Sequence, residues 1–498
     1  MNLTSAERIE RGLTAAQTKR KIQYQASLSE EKDRQIFDSD MKKYLLSVCS
    51  NPHKILDETA FLDSNDWNQS HFKPDMIKEQ YLRFSADNHP YFAKNLNFMA
   101  AKSKLEREVE NWDLKTLRYF CDSDIEKALP RKDTHAGFSF IETGVKSKGE
   151  YMEGIFQAYV LEENKARKEG SFNKIIMIGT RTQASPPYHK KTGKRTVDYK
   201  EIQKSKKSRL VSMADIYLIL AECKFANRFQ KRLGLTTWYA GGKSDAQILH
   251  HVTDGRDNFK NWISIDYSAY DQSCSDWMIR EAFDIIRLAY RKDIYWDEEL
   301  FKIVREDFIK KVFLTPEGLV ESKKGVPSGS MFTQIIDSLI NRLMIDTYMI
   351  AKKIDRYKMM IMGDDNLIFS NQELDLDDLA GYLSHNFGVI MHPKKCDYGV
   401  CRQDDPYFLS RFWTRRGAYR RPEILIAKLC YPERFREYKR YGFTPAMIVQ
   451  SYIESFPLGM LEFIDKEKHD YQVHEERRKF GSAKYLTGLA LYREMYGA

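Results

Sequence analysis

The sequence predicts an α+β fold in which a small antiparallel sheet is backed by helices. Three observations lead there. The run Trp262-Ile263-Ser264-Ile265-Asp266 follows a polar stretch and reads as a buried strand ending on a carboxylate. Two further apolar runs, 358–362 and 367–369, flank the tight turn Gly363-Asp364-Asp365-Asn366, which is hairpin chemistry. Segments 275–290 and 331–354 carry apolar residues at helical spacing.

The other elements follow in order. Residues 1–130 read as mostly helical and rich in mixed charge, with no chemistry of their own. Residues 130–260 alternate short apolar runs with Gly, Pro and Lys clusters, and Ser185-Pro186-Pro187-Tyr188 and Tyr239-Ala240-Gly241-Gly242 read as loops. Gly325–Ser330 is a turn built on Pro327 and Gly329, and it opens the long helix. A helix over 375–387 is ended by Gly388. A single strand is expected over 408–413, and the pattern is helical from Pro422 onward.

Composition sets the bounds. A chain of 498 residues has room for several lobes and a sizeable core. Aromatics at 13% argue against disorder. The formal charge of +9 fits a polyanionic partner, though also plain solubility, so clustering has to decide. The seven scattered cysteines fit reduced thiols, and the spacing of His392, Cys396 and Cys401 matches no standard zinc pattern. The longest apolar candidate for a membrane span, 210–225, contains Asp215 and Glu222, so no membrane association is expected.

The chemistry lies in polar residues set within runs that must be buried. Isolated buried carboxylates are costly unless a metal or partner holds them. If the strands bearing Asp266 and Asp364 are neighbours, their carboxylates can bridge two Mg²⁺ or Mn²⁺ ions roughly 3.5–4 Å apart, an arrangement suited to phosphoryl transfer. A hairpin turn of no function is the plain alternative for Gly363-Asp364-Asp365 alone. It weakens because an Asp-x4-Asp strand and a Ser-Gly turn precede it in order. Ser328-Gly329 offers exposed amides and small side chains for close approach, and helix capping is a second reading of the same residues. Gly241-Gly242-Lys243-Ser244 looks like the end of a phosphate-binding loop, but Thr237 stands where that loop needs glycine.

In this order the segments resemble the RNA-dependent RNA polymerases of small double-stranded RNA viruses, the partitivirus and picobirnavirus kind. Asp266-x4-Asp271 is similar to palm motif A, Ser328-Gly329-x3-Thr333 to motif B and Gly363-Asp364-Asp365 to motif C. The resemblance implies a right-hand polymerase with fingers, palm and thumb, and Asp266, Asp364 and Asp365 as metal ligands. It further implies that Lys207 and Arg209, within the basic run Lys204, Lys206, Lys207 and Arg209, grip a ribonucleoside triphosphate. Asp271 would read the ribose 2′-hydroxyl, helped by Ser328, Gly329 and Thr333. Relatives place Asn four residues after the motif B Thr; here Asp337 stands there and Asn341 follows one turn later, so both are candidates. Lys394 or Lys395 would protonate pyrophosphate. Thr134 and Gly137 resemble a template-guiding motif, and Ser410 and Arg411 a primer-supporting one.

The expected division is 1–257 for the N-terminal region and fingers, 258–274 for the palm with motif A, 275–325 for a fingers insertion, 326–414 for the rest of the palm and 415–498 for the thumb. The implied partners are RNA template and product, ribonucleoside triphosphates and a viral capsid protein, with the chain a monomer in the virion interior and host cytoplasm. A reverse transcriptase and a non-catalytic RNA-packaging protein of the same fold are the rival expectations.

Overall fold

The computed structural model describes residues 5–30, 32–64, 69–141, 143, 145, 147–184, 188, 194–195, 206–433 and 436–496. Ser185, Pro186, Pro187 and Lys204 lie outside them, as do the side chains of Lys206 and Lys207. The strands that frame the site are, in chain order, β1 (Ile175–Ala184), β2 (Lys206–Met213), β3 (Asn261–Ser264), β4 (Val312–Thr315), β5 (Gly318–Glu321), β6 (Tyr357–Met362), β7 (Asp365–Ser370), β8 (Asp397–Val400), β9 (Tyr407–Phe408), β10 (Arg411–Thr414) and β11 (Gly417–Tyr419). The helices are α1 (Ile216–Leu233), α2 (Asp276–Ala289), α3 (Thr333–Ala351), α4 (Leu376–Phe387) and α5 (Pro422–Cys430).

The central sheet has the order β8-β3-β7-β6 and is antiparallel throughout. Its strands alternate between two apolar layers, as the period-2 pleat requires. Ile263, Ile265, Met359, Ile361 and Ile368 belong to the main core with α2, α3 and α4. Trp262, Met360, Leu367 and Phe369 point the other way, into a second core with Ile248, Val252, Phe408 and Trp413. Burial on both faces explains why 359–362 reads as an unbroken apolar run.

A second sheet has the order β2-β1-β4-β5, with β1 and β4 parallel and the other pairs antiparallel. Residues 312–321 therefore join the strands carrying the basic run. The C-terminal helices form a separate core that includes Leu425, Ile448 and Phe463. The N-terminal helix Ser39–Val48 completes it through Met41, Leu45 and Val48. A buried Arg436–Asp38 ion pair at 3.0 Å ties the two chain ends together.

Three expectations need correction. The strand expected over 408–413 is two short strands, β9 and β10, because Leu409 and Ser410 turn with φ of 54° and 61°. The long helix begins at Thr333, since Met331 and Phe332 still belong to the turn. Ser328 does not cap that helix: its Oγ accepts from the Ser212 N–H at 2.9 Å, and the first helical turn has no side-chain cap. By contrast, Gly388 ends α4 in the left-handed region at φ 68°. Ser244 caps the helix Asp245–Asn258 in a capping box with Gln247, which accounts for the segment that looked like a phosphate loop.

Candidate active site

Two strands deliver two carboxylates to one place. The ladder between β3 and β7 pairs Ile263 with Ile368, and continuing that register sets Asp266 across from Asp365. The Ile265 N–H donates to Asn366 Oδ1 at 3.2 Å, which carries the pairing past the ladder. Asp266 bears electrostatically on Asp364: their like charges help raise the Asp364 carboxyl above its usual range. Desolvation is the larger cause of that rise. Asp364 is nonetheless open to solvent. The carboxylate thus reaches solvent from a turn crowded by protein atoms.

The turn bearing Asp364 is held from below. Gly363 adopts φ 66°, a left-handed conformation that glycine tolerates without steric cost. Its N–H donates to Ser338 Oγ at 2.8 Å. Asn341 Nδ2 donates to the Gly363 carbonyl at 2.9 Å and the Asp364 carbonyl at 3.2 Å. Asn341 Oδ1 accepts from the Tyr267 hydroxyl at 3.0 Å and from Asn366 Nδ2 at 3.3 Å. Asn341 is thus buried, with every polar atom engaged in holding the hairpin. Its amide is spent on the hairpin backbone and on Tyr267 and Asn366, whereas buried Asp337 on the same helix keeps an oxygen without a partner among the described residues.

Asp271 and Asp337 form the inner wall. Ala269, at φ 50°, turns the chain after Asp266 and starts the short helix Tyr270–Ser273. Burial raises the Asp271 carboxyl to about 7; the Asp364 charge adds to this and Arg209 opposes it. Asp337 lies on α3, 3% exposed, and burial followed by the Asp271 and Asp364 charges pushes it far up. Its Oδ1 is buried without a hydrogen-bond partner among the described residues. Arg209, exposed on β2, acts on Asp271 and Asp364 alike.

The Ser328-Gly329 turn is pressed onto β2. A Cβ on Gly329 would stand 1.9 Å from the Ser212 carbonyl oxygen, so only glycine fits there. Thr333 Oγ1 donates to the Pro327 carbonyl at 2.6 Å and fixes the turn to the helix start. On its upstream side, the Val326 N–H donates to the Asp271 carbonyl at 2.7 Å. Sequence reasoning missed the group beneath this turn. Buried Glu222 on α1 accepts from Ser330 Oγ and from the Met331 N–H, each at 2.8 Å. Burial lifts its carboxyl to about 7. The available signal was an acidic residue in an apolar helix, which the sequence reading used only to reject a membrane span.

The remaining candidates fall in different settings. Lys394 and Lys395 are exposed on the 3-10 turn Pro393–Lys395, beside the backbone of Asp266, whose carbonyl accepts from the His392 N–H at 3.3 Å. Lys207 pairs with Gln183 through the backbone of β2. Gly137 is buried, and a Cβ there would meet Asp215 Cα at 2.4 Å, which gives it a packing role. Thr134 is half-buried, and its carbonyl accepts from the Lys148 N–H at 2.9 Å. Arg411 donates to Asp245 at 2.9 Å and lies 4.7 Å from the Phe456 ring centre, while the Ser410 carbonyl accepts from Arg420. These contacts are internal to the fold. All seven cysteines are free thiols.

The donor set around Asp266 and Asp364 is hard oxygen, which fits Mg²⁺ or Mn²⁺. Among the described residues no three His, Cys, Asp or Glu side chains converge closely enough to enclose an ion.

Fold and site together define a right-hand nucleic-acid polymerase. The chain belongs to the viral RNA-dependent RNA polymerase family, whose model matches residues 36–429. The RNA-dependent RNA polymerase of a human picobirnavirus shares the fold at a TM-score of 0.60 over 86% of this chain and 82% of that one, with 14% identity. The RNA-directed RNA polymerase of Atkinsonella hypoxylon virus is 31% identical over 137 residues, covering 25% of this chain and 20% of the relative. That of Cryptosporidium parvum virus 1 is 28% identical over 161 residues, covering 30% of this chain and 29% of the relative. The genome polyprotein of encephalomyocarditis virus is 25% identical over 225 residues, 42% of this chain and 9% of the polyprotein. The matches thus span under a third of each of these curated relatives.

Proposed function

We propose that the chain catalyses template-directed addition of ribonucleotides to an RNA 3′ end, replicating and transcribing a double-stranded RNA viral genome. The observation that carries this reading is the pairing of β3 with β7, which brings Asp266 beside the turn that bears Asp364, with Arg209 near enough to act on Asp364.

Asp266, Asp364 and Asp365 would hold two Mg²⁺ or Mn²⁺ ions, which when bound favour the 3′-alkoxide and neutralise charge on the leaving pyrophosphate. Arg209 supplies a planar guanidinium fork to the triphosphate, and Lys207 a point charge. Asp271 accepts a hydrogen bond from the ribose 2′-hydroxyl, the group that separates ribo- from deoxyribonucleotides. Asp337, behind it, keeps a proton and a neutral side chain. The Ser328-Gly329 turn lets the sugar approach the backbone closely, with Thr333 fixing its position. Lys394 or Lys395 donates a proton to pyrophosphate. Asn341, which holds the hairpin, and Gly137, which packs on Asp215, would support this surface from beneath.

The same reading extends to partners and place. The chain acts as a monomer on RNA template and product, with a capsid protein as neighbour, in the virion interior and host cytoplasm. No described helix is long and apolar enough to cross a membrane. The testing experiment is primer and template extension by wild type with ribo- and deoxyribonucleotides supplied separately. Ribonucleotide incorporation alone is expected. Preferential deoxyribonucleotide incorporation would identify a reverse transcriptase, and RNA binding without product would identify a packaging protein.

A further inference from the structure

The central sheet carries a cavity of about 480 Å³ at the strand ends remote from the carboxylates. Asn261, in its lining, precedes Asp266 by five residues, about 16 Å along an extended strand. The ladder registers explain the floor. Tyr398, Ile263 and Ile368 are direct cross-strand partners, and Val400, Asn261 and Ser370 form the next rung on the same face. Helix α4 begins only at Leu376, and the two rungs stay open at the β8 edge, where Tyr398 and Val400 are exposed. Tyr398 is 58% exposed and Val400 42% exposed, high values for large apolar groups on a sheet face.

The wall and rim have a different character. Leu374 and Leu376 add apolar surface, while Glu373, Asp375 and Asp404 bring three carboxylates. Among the described residues no Lys or Arg lines the cavity, although the chain as a whole carries +9. Asp375 caps α4, and Asp404 accepts from the Val400 N–H at 2.9 Å, so both are held in place. A floor that is apolar along the Tyr398, Ile263 and Ile368 rung, under an acidic rim, disfavours a phosphate backbone. It suits an aliphatic side chain followed by a cation, and the volume lies within the roughly 300–1,000 Å³ of ordinary ligand pockets. The sheet ends at β8, so the neighbouring strand edge also offers a peptide an extended template.

We propose that this cavity docks a segment of a partner protein in which aliphatic residues alternate with arginine or lysine. The site is separate from the catalytic cleft and is needed for assembly with that partner, not for nucleotide addition.

The test uses the full chain and a fluorescein-labelled peptide with the core Leu-Arg-Ile-Arg-Leu, read by anisotropy. A peptide with Glu in place of both Arg is the control. Glu373→Lys reverses a rim charge on an exposed residue, and Val400→Trp fills the cavity without changing charge. The arginine peptide is expected to bind wild type and the glutamate peptide not to. Each variant is expected to bind at least tenfold more weakly, with template extension and thermal unfolding midpoint unchanged. No binding up to about 1 mM, equal binding of the two peptides, or undiminished binding by Glu373→Lys would overturn the proposal. Should Val400→Trp fold poorly, the Glu373→Lys result decides alone.

Discussion

The side-chain amide of Asn341 donates to the backbone carbonyl of Asp364 at 3.2 Å, so a buried helix residue fixes the hairpin that presents the Asp364 carboxylate. The same amide holds the Gly363 carbonyl. Asn341→Ala leaves both acceptors short of a donor, which costs about 1–3 kcal/mol for buried groups. Denaturant unfolding should show that loss. Single-nucleotide extension should fall further, by about a hundredfold, because misplacing a reacting group by an ångström has effects of that size. Wild-type activity in a destabilised variant would show that the hairpin holds its shape without this residue.

Gly329→Ala sets a methyl against the Ser212 carbonyl. Backbone cannot yield there as a flexible side chain would, so the Ser-Gly turn must move off β2. Overpacking of this kind costs about 1–3 kcal/mol. Steady-state extension should show a raised KM for nucleotide together with a lowered kcat. Unchanged constants would mean that the turn is not part of the nucleotide site.

Glu222→Gln tests the support beneath that turn through pH. Burial raises the Glu222 carboxyl from 4.5 to about 7, so between these values the folded chain binds a proton that the unfolded chain has released. The contribution of this group to stability is therefore full below pH 4.5 and is lost as pH rises through 7. Glutamine cannot titrate and should remove that slope. The stability difference, variant minus wild type, is expected to grow in the variant's favour from pH 4.5 to 7 in chemical unfolding curves. A difference independent of pH would place the glutamate in a solvated setting.

The site was legible in the sequence where local pattern and chemistry coincide. Asp266 ends an apolar strand, Gly363-Asp364-Asp365 sits between two others, and Gly388 closes a periodic helix. What stayed hidden depends on partners distant along the chain. The parallel pairing of β1 with β4 joins residues 175–177 to 312–314, and nothing near either segment announces it. Glu222 stood out only as one of two acids interrupting the apolar run 210–225, because its acceptor role toward Ser330 spans 108 positions. Asn341 lay on the expected helix, but whether its amide faced the cleft or the hairpin was a matter of helix rotation against β6 and β7. Leu409 and Ser410 broke an expected strand through left-handed conformations that their residue types rarely adopt.

Arg411 separates a supporting role from an RNA-binding one. Its guanidinium pairs with Asp245 and packs over Phe456. Arg411→Ala should lower the thermal midpoint by an amount equivalent to about 1–2 kcal/mol, through lost packing and the cation–π contact. The salt dependence of RNA binding should stay the same, since that slope counts phosphate contacts. A shallower slope would return Arg411 to the primer-supporting surface.

The most direct test of the central claim is template extension by Asp364→Ala and Asp266→Ala beside wild type, in Mg²⁺ and in Mn²⁺, with folding checked by circular dichroism. Each variant is expected to keep its fold and to lose activity by more than about a thousandfold in both ions, as follows when a ligand of a shared metal pair is removed. Activity within tenfold of wild type in a folded Asp364→Ala protein would contradict that claim.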